Sequence, residues 1–194
     1  MLIYVHGFNS SPASYKARLL KARFEALGRG AAFVAPALPP APAQAIQLLD
    51  ALIARHPDAV LVGSSLGGYY ATFLAEKHGL RAVLLNPAVR PYDLLKDHLG
   101  PQQNLYTGER YEFTHEHVDQ LRALEVERIT RSRYLLIVAT GDEVLDYRAA
   151  VDRYRGCRQV VIEGGDHGLG DFAEHLETVL AFYGLTSGAD LPTP

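Results

Sequence analysis

The 194-residue sequence predicts a single α/β domain, a mostly parallel β-sheet of about six strands with helices on both faces. Six short runs are almost continuously apolar and rich in β-branched residues, which is typical of strands buried on both faces of a parallel sheet. Between most of these runs, apolar residues recur at helical spacing. Because strand and helix alternate along the chain, we expect parallel strands joined by helical crossovers.

The strands are predicted at residues 2–5, 32–35, 60–63, 83–85, 134–139 and 159–162. Ser11 and Pro12 have the pattern of a helix cap followed by a first-turn proline, so the first helix is predicted to begin there and to end before Gly28. A second helix carries Ile46 and Leu49, and a third follows Ser65. Two further helices are predicted over residues 147–154 and 172–183.

Two stretches interrupt the alternation of strand and helix. Residues 36–42 contain four prolines, which favour a stiff, extended connection. Residues 87–133 are too long for a simple crossover, and we expect a lid-like insertion there with short helices and a turn at Thr107-Gly108. Residues 187–194 have the composition of a flexible tail.

The composition argues against several classes of partner. The chain has 19 basic and 22 acidic residues, with a net charge of −3 and no long block of either sign, so neither nucleic acid nor an anionic membrane is an expected partner. A small-molecule substrate fits better. The single cysteine, Cys157, cannot form an internal disulfide, and neither a signal peptide nor a membrane span is evident, so a cytoplasmic location is expected.

The strongest chemical motif is Gly63-Ser64-Ser65-Leu66-Gly67, between a predicted strand and a predicted helix. This spacing is typical of a nucleophile elbow, in which small flanking residues let a serine occupy a strained turn. Ser65 is the predicted nucleophile, since it has glycine two residues away on both sides. The alternative is a glycine-rich turn that binds phosphate, although the Lys-Ser/Thr ending of a P-loop is missing.

A nucleophilic serine needs a base and a group that orients the base. Asp142 and His167 each follow a later predicted strand, in the order serine, acid, histidine that accompanies a nucleophile elbow. Because parallel strands end at one edge of the sheet, the three side chains are expected to meet there. The alternatives are a solvent-exposed loop histidine and an ordinary turn aspartate. Asp146, four residues after Asp142, is better explained as the cap of the helix beginning near Tyr147.

The oxyanion formed during acyl transfer requires preplaced amide donors. The backbone amides of Phe8, after the first strand, and of Leu66, after the nucleophile, are predicted to supply them. His6 is interpreted as a packed polar residue that supports the loop containing Phe8.

Three other features are weaker. His115-Glu116-His117 lacks the spacing of a zinc site and is interpreted as a solvated face, and Cys157 as a filler of the core. Arg90 could meet an anionic substrate group, but a structural ion pair explains it better.

Five segments resemble the YqiA-like esterases, small bacterial α/β-hydrolases, over nearly the full length of the chain. They are YVHGFNSSP (4–12), VGSSLGGYYAT (62–72), NPAVRP (86–91), TGDEVLDYR (140–148) and VIEGG (161–165). The resemblance implies an esterase with Ser65, Asp142 and His167 at the catalytic positions. Asp166 stands where relatives are expected to have asparagine, which adds a carboxylate near the base.

These residues predict a serine hydrolase that cleaves carboxylic esters or thioesters through an acyl-enzyme on Ser65, with no metal or organic cofactor. Small or narrow acyl groups, or extended ones that lie on the surface, are expected in preference to bulky buried ones, because so short a chain leaves little material for a deep pocket. Two alternatives remain open: an acyltransferase or amidase with the same three residues, and a non-catalytic binding protein on the same scaffold.

Overall fold

The computed structural model describes residues 1–185, which form eight strands and seven α-helices. The strands are β1 (Leu2–Val5), β2 (Phe33–Val34), β3 (Val60–Ser64), β4 (Arg81–Leu85), β5 (Gly100–Gln103), β6 (Arg110–Phe113), β7 (Tyr134–Ala139) and β8 (Arg158–Ile162). The helices are α1 (Tyr15–Ala26), α2 (Pro42–Arg55), α3 (Leu66–His78), α4 (Pro91–Leu95), α5 (His115–Arg122), α6 (Tyr147–Arg153) and α7 (Leu176–Tyr183).

Six strands form one fully parallel sheet in the order β2-β1-β3-β4-β7-β8. The predicted fold class is confirmed, and each predicted strand coincides with an observed one to within two residues at either end. Because β1, β3, β4, β7 and β8 all run the same way, the loops that follow them open at one edge. All the predicted site residues lie in those loops or directly after those strands.

Alternate residues of each central strand pack on opposite faces of the sheet, as the pleat requires. In β1, Leu2 and Tyr4 pack on the face of the sheet covered by α1 and α7, whereas Ile3 and Val5 pack on the face covered by α2 and α3. All four are at most 1% exposed, which explains why the strand sequences are continuously apolar.

The predicted start of the first helix is wrong. The Ser11 carbonyl accepts the Ser14 amide and the Ser11 hydroxyl accepts the Ala13 amide, which closes a turn. The helix therefore begins at Tyr15, and Ser11 and Pro12 lie before it. The last predicted helix also differs in part, since residues 172–175 form a 3₁₀ turn before α7.

The insertion at residues 87–133 contains the expected short helices, α4 and α5, and also an antiparallel hairpin of β5 and β6. Gly108, with a φ of +72°, lies in the hairpin connection, where a turn is predicted. The strands of the hairpin were not predicted, because their residues are mostly polar and half-exposed and give no apolar run. No helix of the described chain is long and apolar enough to cross a membrane. The predicted tail, residues 187–194, lies outside the described residues.

Candidate active site

Ser65 lies at the turn between β3 and α3 with a φ of 54° and a ψ of −121°, a strained conformation for a residue with a side chain. The turn is packed so tightly that a Cβ atom on Gly67 would stand 2.0 Å from the Val5 carbonyl oxygen. A Cβ atom on Gly63 would stand 2.3 Å from the Gly67 carbonyl oxygen. The glycines are thus required by close backbone contacts, as the elbow motif predicts.

His167 connects Ser65 to Asp142. Its Nε2 lies 3.1 Å from Ser65 Oγ, and its Nδ1 lies 2.8 Å from Asp142 Oδ2. The Asp142 side chain is 2% exposed, and its second oxygen accepts the amides of Val144 and Leu145. The structure therefore brings the three predicted side chains into one hydrogen-bonded series.

The charge on Asp142 is favoured by these partners. Burial raises the pKa of the carboxyl group, but the hydrogen bonds from His167 and the two amides outweigh burial, and the pKa lies below its ordinary value. A carboxylate that accepts a hydrogen bond from Nδ1 keeps the imidazole proton on that nitrogen. The unprotonated Nε2 is then free to accept the Ser65 proton.

The loop of Asp142 also holds the backbone of His167. Glu143 Oε2 accepts the His167 amide at 3.0 Å, and the Gly141 amide donates to the Gly164 carbonyl at 2.7 Å. A Cβ atom on Gly141 would lie 2.4 Å from the Gly165 carbonyl oxygen. The acid loop and the histidine loop are therefore in direct backbone contact.

Phe8 and Leu66 line one small cavity beside Ser65. Leu66 is the first residue of α3, so its amide has no partner within the helix. Among the described residues, neither this amide nor that of Phe8 donates to a backbone carbonyl outside the regular elements. Gly7 brings the Phe8 loop close, since a Cβ atom there would lie 3.7 Å from Ser65 Oγ.

His6 is buried and supports the Phe8 loop, as interpreted from the sequence. Its Nδ1 lies 3.1 Å from the Gly7 carbonyl oxygen, and its Nε2 accepts the Leu38 amide at 3.2 Å. Burial lowers the pKa of His6, which favours the neutral ring that this pair of contacts requires. Because the Gly7 carbonyl and the Phe8 amide belong to one trans peptide, holding the carbonyl toward His6 turns the amide the opposite way.

Two cavities flank the site. A small one of about 40 Å³ borders the Phe8 loop and the elbow, and it is lined by Phe8, Leu66, Leu38, Tyr70 and Tyr111 among others. A groove of about 720 Å³ lies beyond the acid loop, lined in part by Val144, Leu145, Pro87, Tyr69, Arg90 and Tyr154.

The weaker sequence features have structural explanations. Arg90 lies 3.9 Å from Glu125 at the surface, which matches the predicted ion pair. Asp146 caps α6 by accepting the Arg148 amide, as predicted. His117 completes a capping box with Thr114. Cys157 is partly buried against the core, and within residues 1–185 no three side chains of metal-binding type cluster together.

Sequence reasoning missed two residues beside the site, Asn86 and Lys16. Asn86 directly follows β4 with a φ of 40°, and its buried side chain binds the loop of His167. Lys16 is 8% exposed and donates to the Gly168 carbonyl at 2.7 Å. A signal for Lys16 existed, because Lys16, Leu20 and Phe24 share one apolar face of α1 at four-residue spacing.

Solved structures similar in fold to this chain include α/β-hydrolases. The mouse α/β hydrolase domain-containing protein 10 matches with a TM-score of 0.69 at 15% identity, covering 93% of this chain and 89% of that one. A monoacylglycerol lipase from Paleococcus ferrophilus matches with a TM-score of 0.63 at 18% identity, covering 93% of this chain and 94% of that one. At such low identity the likeness concerns the fold, and it confirms the predicted α/β-hydrolase fold.

Sequence comparison agrees with the resemblance seen in the motifs. UPF0227 protein YE1706 from Yersinia enterocolitica is 25% identical over 190 residues, which cover 94% of this chain and 98% of the relative. The model of the uncharacterised protein family UPF0227 matches residues 1–184. The predicted resemblance to the YqiA family is confirmed, and the chain belongs to UPF0227.

Proposed function

We propose that this protein is a serine hydrolase that cleaves carboxylic esters or thioesters. The observation that carries the proposal is the hydrogen-bonded series from Ser65 Oγ through the His167 ring to the buried Asp142 carboxylate. The series stands beside the amides of Phe8 and Leu66, for which residues 1–185 provide no backbone acceptor. These groups, at one edge of the sheet, support the assignment of a nucleophile, a base, an orienting acid and two oxyanion donors.

In this mechanism His167 Nε2 takes the proton from Ser65 Oγ as the oxygen attacks the acyl carbon. The carbonyl oxygen becomes an oxyanion, which the Phe8 and Leu66 amides stabilise. His167 then gives its proton to the departing alcohol or thiol, and the acyl group stays on Ser65. Water repeats the cycle through His167 and releases the carboxylic acid, while ionised Asp142 stabilises the imidazolium in both halves.

The two cavities suggest an orientation for the substrate. The leaving group must face His167, because it receives the proton from Nε2. The groove beside Val144 and Leu145 borders the loop of Asp142, the residue that is hydrogen-bonded to His167. The acyl group then faces the cavity lined by Phe8 and Leu66, whose volume of about 40 Å³ suits a short chain. The proposed substrate is a short acyl ester or thioester with a larger leaving group.

The structural comparisons support ester chemistry without specifying the substrate. The fold is shared with a monoacylglycerol lipase and with several other esterases and lipases. No feature in the described residues favours amide cleavage or acyl transfer over hydrolysis, so simple hydrolysis is the function proposed.

The decisive experiment compares Ser65→Ala with Ser64→Ala. Hydrolysis of p-nitrophenyl esters and acyl thioesters is measured across acyl lengths, together with labelling by a fluorophosphonate probe. Ser65→Ala is expected to abolish both, and Ser64→Ala to retain both, because Ser64 ends β3 and belongs to no part of the series.

Thermal unfolding of each variant serves as the control for folding. Wild-type protein that neither hydrolyses esters nor takes up the probe would contradict the proposal and favour a binding role. Equal losses in the two variants would contradict the choice of nucleophile.

A further inference from the structure

The loop that carries His167, residues 166–170, contains no helix or strand. Within the described chain, its amides and carbonyls make two hydrogen bonds to other backbone groups, from Leu169 to Asp166 and from Phe172 to Leu169. The carbonyls of residues 166, 167, 168 and 170 all accept from side chains that lie far away in sequence. The position of His167 therefore depends on those side chains and on that of Glu143, which accepts the His167 amide.

Asn86 contributes two of these contacts. It is 2% exposed, and its Nδ2 donates to the carbonyls of Asp166 at 3.0 Å and of His167 at 3.1 Å. Its Oδ1 accepts the amide of Ala139, the last residue of β7, at 2.9 Å. Both amide hydrogens and the carbonyl oxygen are used, so the side chain has one satisfactory orientation.

The backbone around Asn86 is bonded to the nucleophile. The Ser65 amide donates to the Leu85 carbonyl at 3.0 Å, and the Ala88 amide donates to the Ser65 carbonyl at 3.1 Å. One short segment, residues 85–88, thus holds the backbone of Ser65 while the side chain of Asn86 holds the backbone of His167. The 3.1 Å distance between Ser65 Oγ and His167 Nε2 is set across this segment.

Helix α1 supplies a second support from another direction. Buried Lys16 donates to the Gly168 carbonyl at 2.7 Å, whereas Tyr15, 39% exposed, donates to the Gly170 carbonyl at 3.2 Å. The contact of Tyr15 is exposed and farther from His167, so it is the weaker of the two.

We propose that Asn86 is a positioning residue, which holds the imidazole of His167 in register with Ser65 and Asp142, with Lys16 as a secondary support. The inference rests on the proposed function and deepens it. Aspartate at this position would offer no donor to the two carbonyls. A residue without a polar side chain would remove the partner of the His167 carbonyl and of the buried Ala139 amide, and would leave the Asp166 carbonyl with the Leu169 amide alone. Asparagine also tolerates the positive φ, which most other residues would not.

The test uses Asn86→Asp, which keeps the shape, and Asn86→Gly, which keeps the positive φ. Tyr15→Phe is the matched control, because it removes a contact to the same loop without disturbing the backbone of His167. Each variant is assayed for kcat and KM on a p-nitrophenyl ester below its unfolding midpoint. The downfield proton resonance of the His167–Asp142 hydrogen bond is recorded by NMR.

The Asn86 variants are expected to lose about 100-fold in kcat, the effect of misplacing a catalytic group by about 1 Å, with KM changed less than about twofold. Their downfield resonance should broaden or vanish, which a loss of stability alone would not cause in folded protein. Tyr15→Phe should keep the wild-type kcat and the downfield resonance. If neither Asn86 variant folds, Lys16→Met perturbs the same loop from α1, and a severalfold loss in kcat with a weakened resonance is expected.

Wild-type kcat and an intact resonance in a folded Asn86 variant would overturn the inference, as would an equal loss in Tyr15→Phe. The resonance decides the inference even where hydrolysis is absent, because it reports the position of the imidazole. Lack of ester hydrolysis and of fluorophosphonate labelling in the wild-type protein would instead overturn the proposed function.

Discussion

The nucleophile elbow and the loop of His167 meet across one 3.1 Å hydrogen bond, yet they are held in place by different means. At the elbow, backbone packs on backbone so closely that Gly63 and Gly67 have no room for a Cβ atom. The loop of His167 is instead held by side chains from α1, from the acid loop and from Asn86, the residue after β4.

The two regions are expected to respond differently to substitution. Where backbone lies directly against backbone, an added methyl group clashes with the neighbouring chain, so it should destabilise the fold before it affects the chemistry. A position defined by distant side chains can lose one contact and remain folded, so damage there should appear first in turnover.

The largest effect is expected from Asp142→Asn. Asparagine Oδ1 can still accept the Val144 and Leu145 amides, so the melting temperature should change little. Its NH₂ group cannot accept from His167 Nδ1, and turnover should fall by as much as about 10⁴-fold because the imidazole adopts the wrong tautomer. Steady-state kinetics and thermal unfolding of the same preparation measure the turnover and the melting temperature. A large drop in melting temperature would mean that Asp142 is chiefly structural.

Gly67→Ala tests the elbow. The added Cβ atom would lie 2.0 Å from the Val5 carbonyl oxygen, so destabilisation of at least about 3 kcal/mol or failure to fold is expected, although alanine favours helices more than glycine does. Gly28→Ala is the control, since Gly28 has a φ of +68° and no neighbour within 4 Å of the added atom. It should cost about 1 kcal/mol. Equal costs in urea unfolding would refute the steric account.

Leu38→Ala tests the small cavity on the elbow side. The shorter side chain enlarges the cavity, while the backbone amide keeps its bond to His6. The preference for hexanoyl over acetyl esters, measured as a ratio of kcat/KM, should rise about tenfold. Val144→Ala, in the groove on the acid-loop side, is the control and should leave that ratio unchanged. A shift in the control alone would place the acyl group in the groove.

The smallest effect is expected from Asp146→Ala. Loss of the cap on α6 should cost about 1 kcal/mol of unfolding free energy and leave turnover largely intact. Chemical denaturation and ester kinetics measure the two quantities. If turnover collapses and stability does not, the roles of Asp142 and Asp146 are reversed.

The sequence permits prediction of features that depend on local pattern. The apolar runs predicted the strands of the sheet, and the spacing of Gly63 and Gly67 predicted the elbow. The position of Asp142 and His167 after successive parallel strands predicted that both lie at the same edge of the sheet. The start of α1 was mispredicted because Ser11 closes a turn that resembles a cap.

The contacts that hold His167 were not predictable in the same way. Asn86 lies 81 residues before His167, and Lys16 lies 152 residues before Gly168, so no spacing rule relates them. Their roles depend on three-dimensional packing. The one local signal in the sequence is that Lys16 lies on the apolar face of a helix.

The hairpin of β5 and β6 is tied to the residues that follow Phe8. The Tyr111 hydroxyl donates to Asn9 Oδ1, and Asn9 Nδ2 donates to Gln102 Oε1. The Asn104 side chain donates to the Ser10 carbonyl, and the Leu105 amide donates to the Asn9 carbonyl. Lifting the hairpin breaks all four bonds, at a cost of about 4 kcal/mol, so a raised hairpin is populated at about 0.1%. In the proposed mechanism, any substrate that must raise the hairpin also releases the Phe8 loop, so entry of bulky molecules and oxyanion stabilisation would be thermodynamically linked with opposite sign.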